Sequence, residues 1–233
     1  MHSNKYILVY SSIMVVLVAV SLTFVAVGLK PMQEDNIRIE KMQNILSSVR
    51  IVVPPKEAIA TYQKYITEVI VINKDGKKVD GVDGFTVDMA LELKKPAEQQ
   101  YLPVFIAALD DGKNYSIVPV RGKGLWGPIW GYIAFTDDFN TIYGVTFDHK
   151  GETPGLGAEI NLDWFENPFQ GKQIFDQQGN FTSVNVMKGG AVPDDIHAVD
   201  AISGGTITSK GLEEMLKDCL ASYEVYFKNK GTI

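Results

Sequence analysis

Apolar positions run almost unbroken from Tyr6 to Leu29, with no charge between Lys5 and Lys30. A helix needs about 20 apolar residues to cross a bilayer core, so this stretch can span with some tilt. It exceeds the ~7–15 apolar residues of a secretory leader. No Ala-x-Ala-like site precedes Lys30-Pro31 either, which favours a retained anchor over a cleaved leader. His2 and Lys5 on the short tail face Lys30, Arg38 and Lys41 beyond the stretch, so the basic residues leave the orientation open. The expectation is the usual one for such an anchor: a short tail inside and the bulk of the chain exported.

After Pro31 the spacing turns helical. Met42, Ile45, Leu46 and Val49 recur at intervals of three and four, predicting an amphipathic helix over 32–49. Pro54-Pro55 ends it, and Ile59, Tyr62 and Ile66 mark a second short helix over 56–65. Strand-like segments follow at 68–72, 85–93, 102–109, 115–120, 129–135, 141–148 and 181–187. Turn signals separate most of them, among them Asn73-Lys74-Asp75-Gly76, which reads as a hairpin-type turn. Leu212, Met215, Leu216, Cys219, Tyr223 and Tyr226 then describe a C-terminal amphipathic helix. Hairpin-linked strands flanked by helices read as α+β with an antiparallel sheet, not as alternating βαβ units. The expected division is an anchor over 1–30, a helical stalk or docking segment over 31–66 and a domain over 67–233.

Composition narrows the chemistry. Twenty-eight acids against 22 bases give a net charge of -6, and the anchor holds no acid, so the soluble part is acidic. That argues against a nucleic-acid partner, which would call for a basic footprint. One cysteine, Cys219, excludes an internal disulfide, a thiolate zinc site and an iron–sulfur cluster held by this chain alone. Cys219 lies on the apolar helix face and reads as core. His2, His149 and His197 leave little for a histidine metal site, and no metal is expected.

Three glycine-rich segments remain. Gly122-Lys123-Gly124-Leu125-Trp126-Gly127 matches G-x-G-x-x-G, but a dinucleotide fingerprint must open a helix, and here Pro128 leads into a strand. A turn between strands is the better reading. Gly151-Glu152-Thr153-Pro154-Gly155-Leu156-Gly157 is a loop whose glycines permit close backbone approach to a ligand. Asp200-Ala201-Ile202-Ser203-Gly204-Gly205-Thr206-Ile207-Thr208-Ser209 is the most informative. Thr208 or Ser209 would cap the following helix. A phosphate beside Thr206 would sit near that helix N-terminus, where free N–H groups favour an anion. A hydrolase with Ser203 or Thr206 activated by His197 or His149 is a second possibility. It requires one of those rings within hydrogen-bond reach.

Asp200-x-x-Ser203-Gly204-Gly205-Thr206 resembles the flavinylation motif aspartate-x-x-serine/threonine-glycine-alanine-threonine, whose last threonine carries FMN through a phosphodiester. Gly151–Gly157 is similar to a segment of the same family. With the anchor, the Leu29-Lys30-Pro31 exit and Gly124-Leu125-Trp126-Gly127, the resemblance covers essentially the whole chain. It is to the C-subunit family of sodium-translocating NADH:quinone reductases. The flavin motif alone is shared with the G-subunit family of Rnf complexes, but the length, the Gly-Leu-Trp-Gly stretch and the Gly-Glu start of the loop favour the quinone reductase.

The resemblance implies an FMN-binding domain carrying covalent FMN on Thr206, installed from FAD by a separate magnesium-dependent flavin transferase. Asp200, Ser203 and Gly204 would shape the acceptor turn or its recognition. Gly205 stands where the family has alanine, a change that should not block modification but could loosen the turn. Glu152, Thr153 and Leu156 would line the isoalloxazine or ribityl part, with Trp126 in the same neighbourhood. The chain would relay electrons from NADH toward quinone in a sodium-exporting complex, with no independent catalytic activity. It would sit in a bacterial inner membrane beside the other subunits, its domain on the periplasmic side. A membrane-anchored binding or assembly module would instead carry no flavin.

Overall fold

The computed structural model describes residues 3–231, so His2 lies outside the described part. The chain divides into two compact units at Lys41/Met42, within the segment expected as a stalk.

The first helix, α1, runs without interruption over Asn4–Ser48 and contains Pro31. The sequence pattern predicts a new helix after that proline; the structure shows one continuous helix instead. Proline fixes a helix-compatible φ and costs one backbone hydrogen bond. Good helix formers beyond it (Gln33, Glu34, Arg38, Glu40, Lys41) carry the helix through. Among the described residues α1 is the one helix long and apolar enough to cross a membrane.

The second unit is α+β. A five-stranded antiparallel meander runs in chain order, β1 (Ile66–Ile72), β2 (Leu102–Ala108), β3 (Asn114–Lys123), β4 (Pro128–Phe135) and β5 (Ile142–His149). Helix α2 (Pro55–Tyr65) leads into β1, with Pro55 at its first position, where the missing N–H costs nothing. The long C-terminal helix α5 (Thr206–Lys230) lies along β3. It buries Leu212, Met215, Leu216, Cys219, Leu220, Tyr223 and Phe227 together with Val118 and Val120 of β3. Ile117, on the opposite face of β3, is also fully buried, so both faces of the strand are covered. The thiol of Cys219 sits between the amide and carbonyl of Arg121, at 3.4 and 3.3 Å. Burial pushes its pKa up to about 11, which keeps it a protonated core group.

Two expected strands come out differently. Most of 85–93 is a turn and a one-turn helix, α3 (Met89–Glu92), because the Asp88 carboxylate caps it by accepting from the Ala90 amide at 2.8 Å. Of 181–187 only β6 (Asn185–Met187) is a strand, since Ser183 adopts φ 60° and breaks the extension. β6 pairs in parallel with β7 (Ala198–Asp200), a strand the sequence pattern did not announce. Asn73 does organise a tight turn after β1, accepting from Gly76, Asp75 and Lys77. The ladder partner of β1 is nevertheless β2, about thirty residues on, with only an isolated bridge to Lys78.

β5 is an edge strand, and Glu166 at the end of α4 (Asp163–Glu166) covers part of that edge by accepting from the Phe147 amide at 2.6 Å. Burial raises the Glu166 pKa from 4.5 to about 7 and overrides the opposing pull of the Phe147 N–H, with Asp163 and Asp148 adding smaller repulsions. The folded state therefore binds this proton more tightly than the unfolded chain. The group costs nothing below pH 4.5, and its cost grows up to about pH 7. Glu166→Gln keeps an acceptor for Phe147 without the charge. It should match wild type near pH 4 and gain about 1–3 kcal/mol at pH 8. Urea unfolding at both pH values checks this; an equal gain at both would place the Glu166 carboxyl in solvent.

Candidate functional site

A cavity of about 210 Å³ opens where three connections meet: the β3–β4 turn, the loop after β5 and the start of α5. Leu125 comes from the first, Glu152, Thr153, Leu156 and Gly157 from the second, and Gly204, Gly205 and Thr206 to Thr208 from the third.

The acceptor turn is built by backbone. The Gly205 amide donates to the Ile202 carbonyl at 3.0 Å, and Gly204 takes φ 76°, a conformation favouring glycine. A side chain on Gly204 would also strike Leu156, whose Cδ2 lies 2.6 Å from the place a Cβ would take. Thr206 is exposed and is the first residue of α5. Its N-cap is Gly205, which provides no side-chain acceptor for the leading N–H groups. The expectation that Thr208 or Ser209 caps the helix is thus corrected. α5 begins earlier, and both hydroxyls serve tertiary contacts. Ser209 Oγ accepts from the Ile202 amide at 3.1 Å, and Thr208 donates to Glu152 at 2.6 Å.

Glu152 is 4% exposed. Its Oε2 takes the Thr208 hydroxyl and its Oε1 the Trp126 amide at 2.8 Å. Burial by itself would raise its pKa. The Thr208 hydroxyl and the amides of Trp126, Gly127 and Leu125 more than offset that and hold the carboxyl below its ordinary value. Trp126 stands out from the same turn at 69% exposure, beside the lining residue Leu125.

Six of the nine residues expected from sequence therefore meet at one cavity: Glu152, Thr153, Leu156, Gly204, Gly205 and Thr206. Trp126, next in the chain to the lining Leu125, does not line it, nor do Asp200 and Ser203. Asp200 ends β7 and its Oδ1 accepts from the Ala191 amide at 2.6 Å, bracing the preceding loop; Ser203 is exposed in the turn itself. At Gly205 an alanine Cβ would come within 2.9 Å of Ile202 Cγ2, so here glycine relieves a crowded contact. The lining residues Leu125, Gly157, Ile207 and Thr208 carry no sequence signal of facing a ligand beyond their proximity to the two glycine-rich segments.

Neither histidine serves a nucleophile. His197 Nδ1 lies 2.7 Å from the Gln173 carbonyl and 3.2 Å from Thr182 Oγ1, while His149 Nδ1 accepts the Glu152 amide at 3.2 Å. The hydrolase reading accordingly lacks its base. The G-x-G-x-x-G segment ends β3 and turns directly into β4, so no helix follows it to receive a dinucleotide.

An antiparallel domain whose C-terminal helix starts at a glycine-built turn beside this cavity belongs to a recognised class. Residues 124–221 match the family described as the FMN-binding domain, from the β3–β4 turn into α5. The chain is 34% identical to the C subunit of the Na(+)-translocating NADH-quinone reductase of Neisseria meningitidis serogroup A, over 96% of this chain and 92% of the relative. It is 32% identical to the Pseudomonas aeruginosa C subunit, over 82% and 81%. The crystal structure of the Parabacteroides distasonis C subunit superposes with a TM-score of 0.79 at 44% identity, covering 85% of this chain and 96% of that one. The chain belongs to the C-subunit family of Na(+)-translocating NADH-quinone reductases.

Proposed function

We propose that this chain is the electron-relay subunit of a sodium-translocating NADH:quinone reductase, and that it carries FMN as a phosphodiester on Thr206. The observation that carries the reading is the position of Thr206. An exposed hydroxyl opens a 25-residue helix whose cap offers no side-chain acceptor, at the rim of a cavity with apolar walls. A phosphate on that oxygen would place negative charge where the helix N-terminus has unpaired N–H groups, and Leu125, Leu156 and Ile207 would offer apolar contact to a ring system. Bound there, FMN supplies the redox chemistry.

Loading is a group transfer that this chain need not catalyse. The Thr206 oxygen bonds to the flavin-side phosphorus of FAD, the pyrophosphate link breaks, AMP leaves, and the hydroxyl proton is lost. A magnesium-dependent flavin transferase performs it. Asp200 and Ser203, outside the cavity, belong to the acceptor surface that the transferase reads. Glu152, Thr153, Leu156 and Trp126 shape the wall against which the flavin lies. The other subunits supply the electron donor and acceptor, and the complex carries electrons from NADH toward quinone with sodium export. α1 holds the domain in a bacterial inner membrane, on the periplasmic side, where a covalent link prevents cofactor loss.

The test is a denaturing gel of the full chain co-produced with the transferase, read by flavin fluorescence, followed by mass mapping of the 200–209 peptide. A fluorescent band and a peptide heavier by FMN less one water are expected. A dark band, with the transferase active on another substrate, overturns the reading.

A further inference from the structure

We propose that Glu152 is a positioning residue for the flavin: it ties the turn bearing Leu125 and Trp126 to the first turn of α5, so that a group on Thr206 meets a fixed wall. The proposal rests on Thr206 being the flavin carrier. Its grounds are the way the carboxylate is held. Glu152 bonds to Trp126, 26 residues away, through one oxygen and to Thr208, 56 residues away, through the other. The space is moulded to it. A Cβ on Gly124 would come within 2.5 Å of Oε1, and one on Gly157 within 2.6 Å of Oε2. Two positions without side chains thus admit a single carboxylate between two structural elements.

Its donors are all neutral groups of the protein, the Thr208 hydroxyl and the amides of 125–127. Both oxygens are already engaged, so Glu152 acts through what it holds. Leu125 lines the cavity from the turn it fixes, and Thr206 lies two residues before the threonine it binds. Truncation to alanine would strip the buried Thr208 hydroxyl and the Trp126 amide of their acceptor, a loss far costlier than that of one surface bond. Glutamine is the informative variant. Its carbonyl can still accept from the turn while its amide donates to Thr208 Oγ1, so the tie survives without the charge.

The experiment uses the full chain co-produced with the flavin transferase. Glu152→Ala, Glu152→Gln and Thr208→Val, which cuts only the α5 half of the tie, are compared with wild type. The readouts are amide hydrogen exchange at 125–127 and the visible circular dichroism of the attached flavin. In Glu152→Ala, exchange at these amides should quicken by about tenfold or more, as expected for local release of a held turn. Its visible dichroism should fall by about half or more relative to wild type, because the flavin loses an ordered wall. Glu152→Gln should stay close to wild type in both. If Glu152→Ala does not fold, the proposal stands on Thr208→Val disturbing the dichroism while Glu152→Gln does not. Wild-type dichroism and exchange in Glu152→Ala would overturn it, as would a Glu152→Gln chain as perturbed as the alanine variant. A wild-type chain without flavin would overturn the Thr206 reading instead, and the exchange comparison, which needs no flavin, would still report whether Glu152 holds the turn.

Discussion

Thr206→Ala, co-produced with the flavin transferase, is expected to give a dark band on a denaturing gel while folding like wild type. The side chain is exposed at the first position of α5, so truncation should change stability by no more than about 0.5 kcal/mol. Loss of fluorescence therefore reports loss of the acceptor oxygen and not loss of the fold, which a thermal melt on the same sample verifies. Thr206→Ser keeps the oxygen but not the β-branch that restricts its rotamers, so it should load more slowly and still become fluorescent. A bright Thr206→Ala band would move the attachment elsewhere. Thr208 is buried and committed to Glu152, which leaves the exposed Ser203 as the remaining hydroxyl within the motif.

Local patterns made the scaffold legible. β2 to β5 follow from β-rich segments punctuated by turn residues, and α5 from its three-and-four spacing, because both signals arise within a few residues. The errors have local causes too. Asp88 capped a helix where hydrophobicity suggested a strand, and Ser183 at φ 60° interrupted a strand-like segment. The parallel β6–β7 pair depends on tertiary context, with three residues in each strand giving too little pattern to read.

The site divides in the same manner. Asp200 to Thr206 is contiguous, so its chemistry could be recognised from a short motif. The role of Glu152 depends on partners in two other parts of the chain, and spacing carries no trace of that. The G-x-G-x-x-G pattern shows how one signature can serve another purpose. Gly122 makes room for Met215 of α5, where a Cβ would lie 2.6 Å from that side chain's own, and Gly124 makes room for the Glu152 carboxylate. Those glycines answer to a helix packed on the strand and to a buried acid.

That packing makes a second large effect predictable, one that runs against helix propensity. Gly211 lies inside α5, where an exposed glycine replaced by alanine would normally gain about 1 kcal/mol. Here a Cβ would come 2.2 Å from the Lys123 carbonyl oxygen, a backbone atom at the end of β3 that no rotamer change can move aside. Gly211→Ala must therefore lift the first turns of α5 from the strand. It should destabilise by about 2 kcal/mol or more, since the overpacking penalty of about 1–3 kcal/mol falls on main chain. The strain bears on the Thr208–Glu152 bond three residues earlier in the helix, so the turn at 125–127 should loosen as well. Gly127→Ala is the matched control: its Cβ would meet only the Lys150 Cβ at 3.6 Å, an ordinary contact, and its stability should stay within about 0.5 kcal/mol of wild type. Urea midpoints of the two variants decide the matter. If Gly211→Ala proved as stable as Gly127→Ala, α5 would not be seated against β3 by main-chain contact, and the coupling of Thr206 to the Leu125–Trp126 wall would lose its mechanical basis.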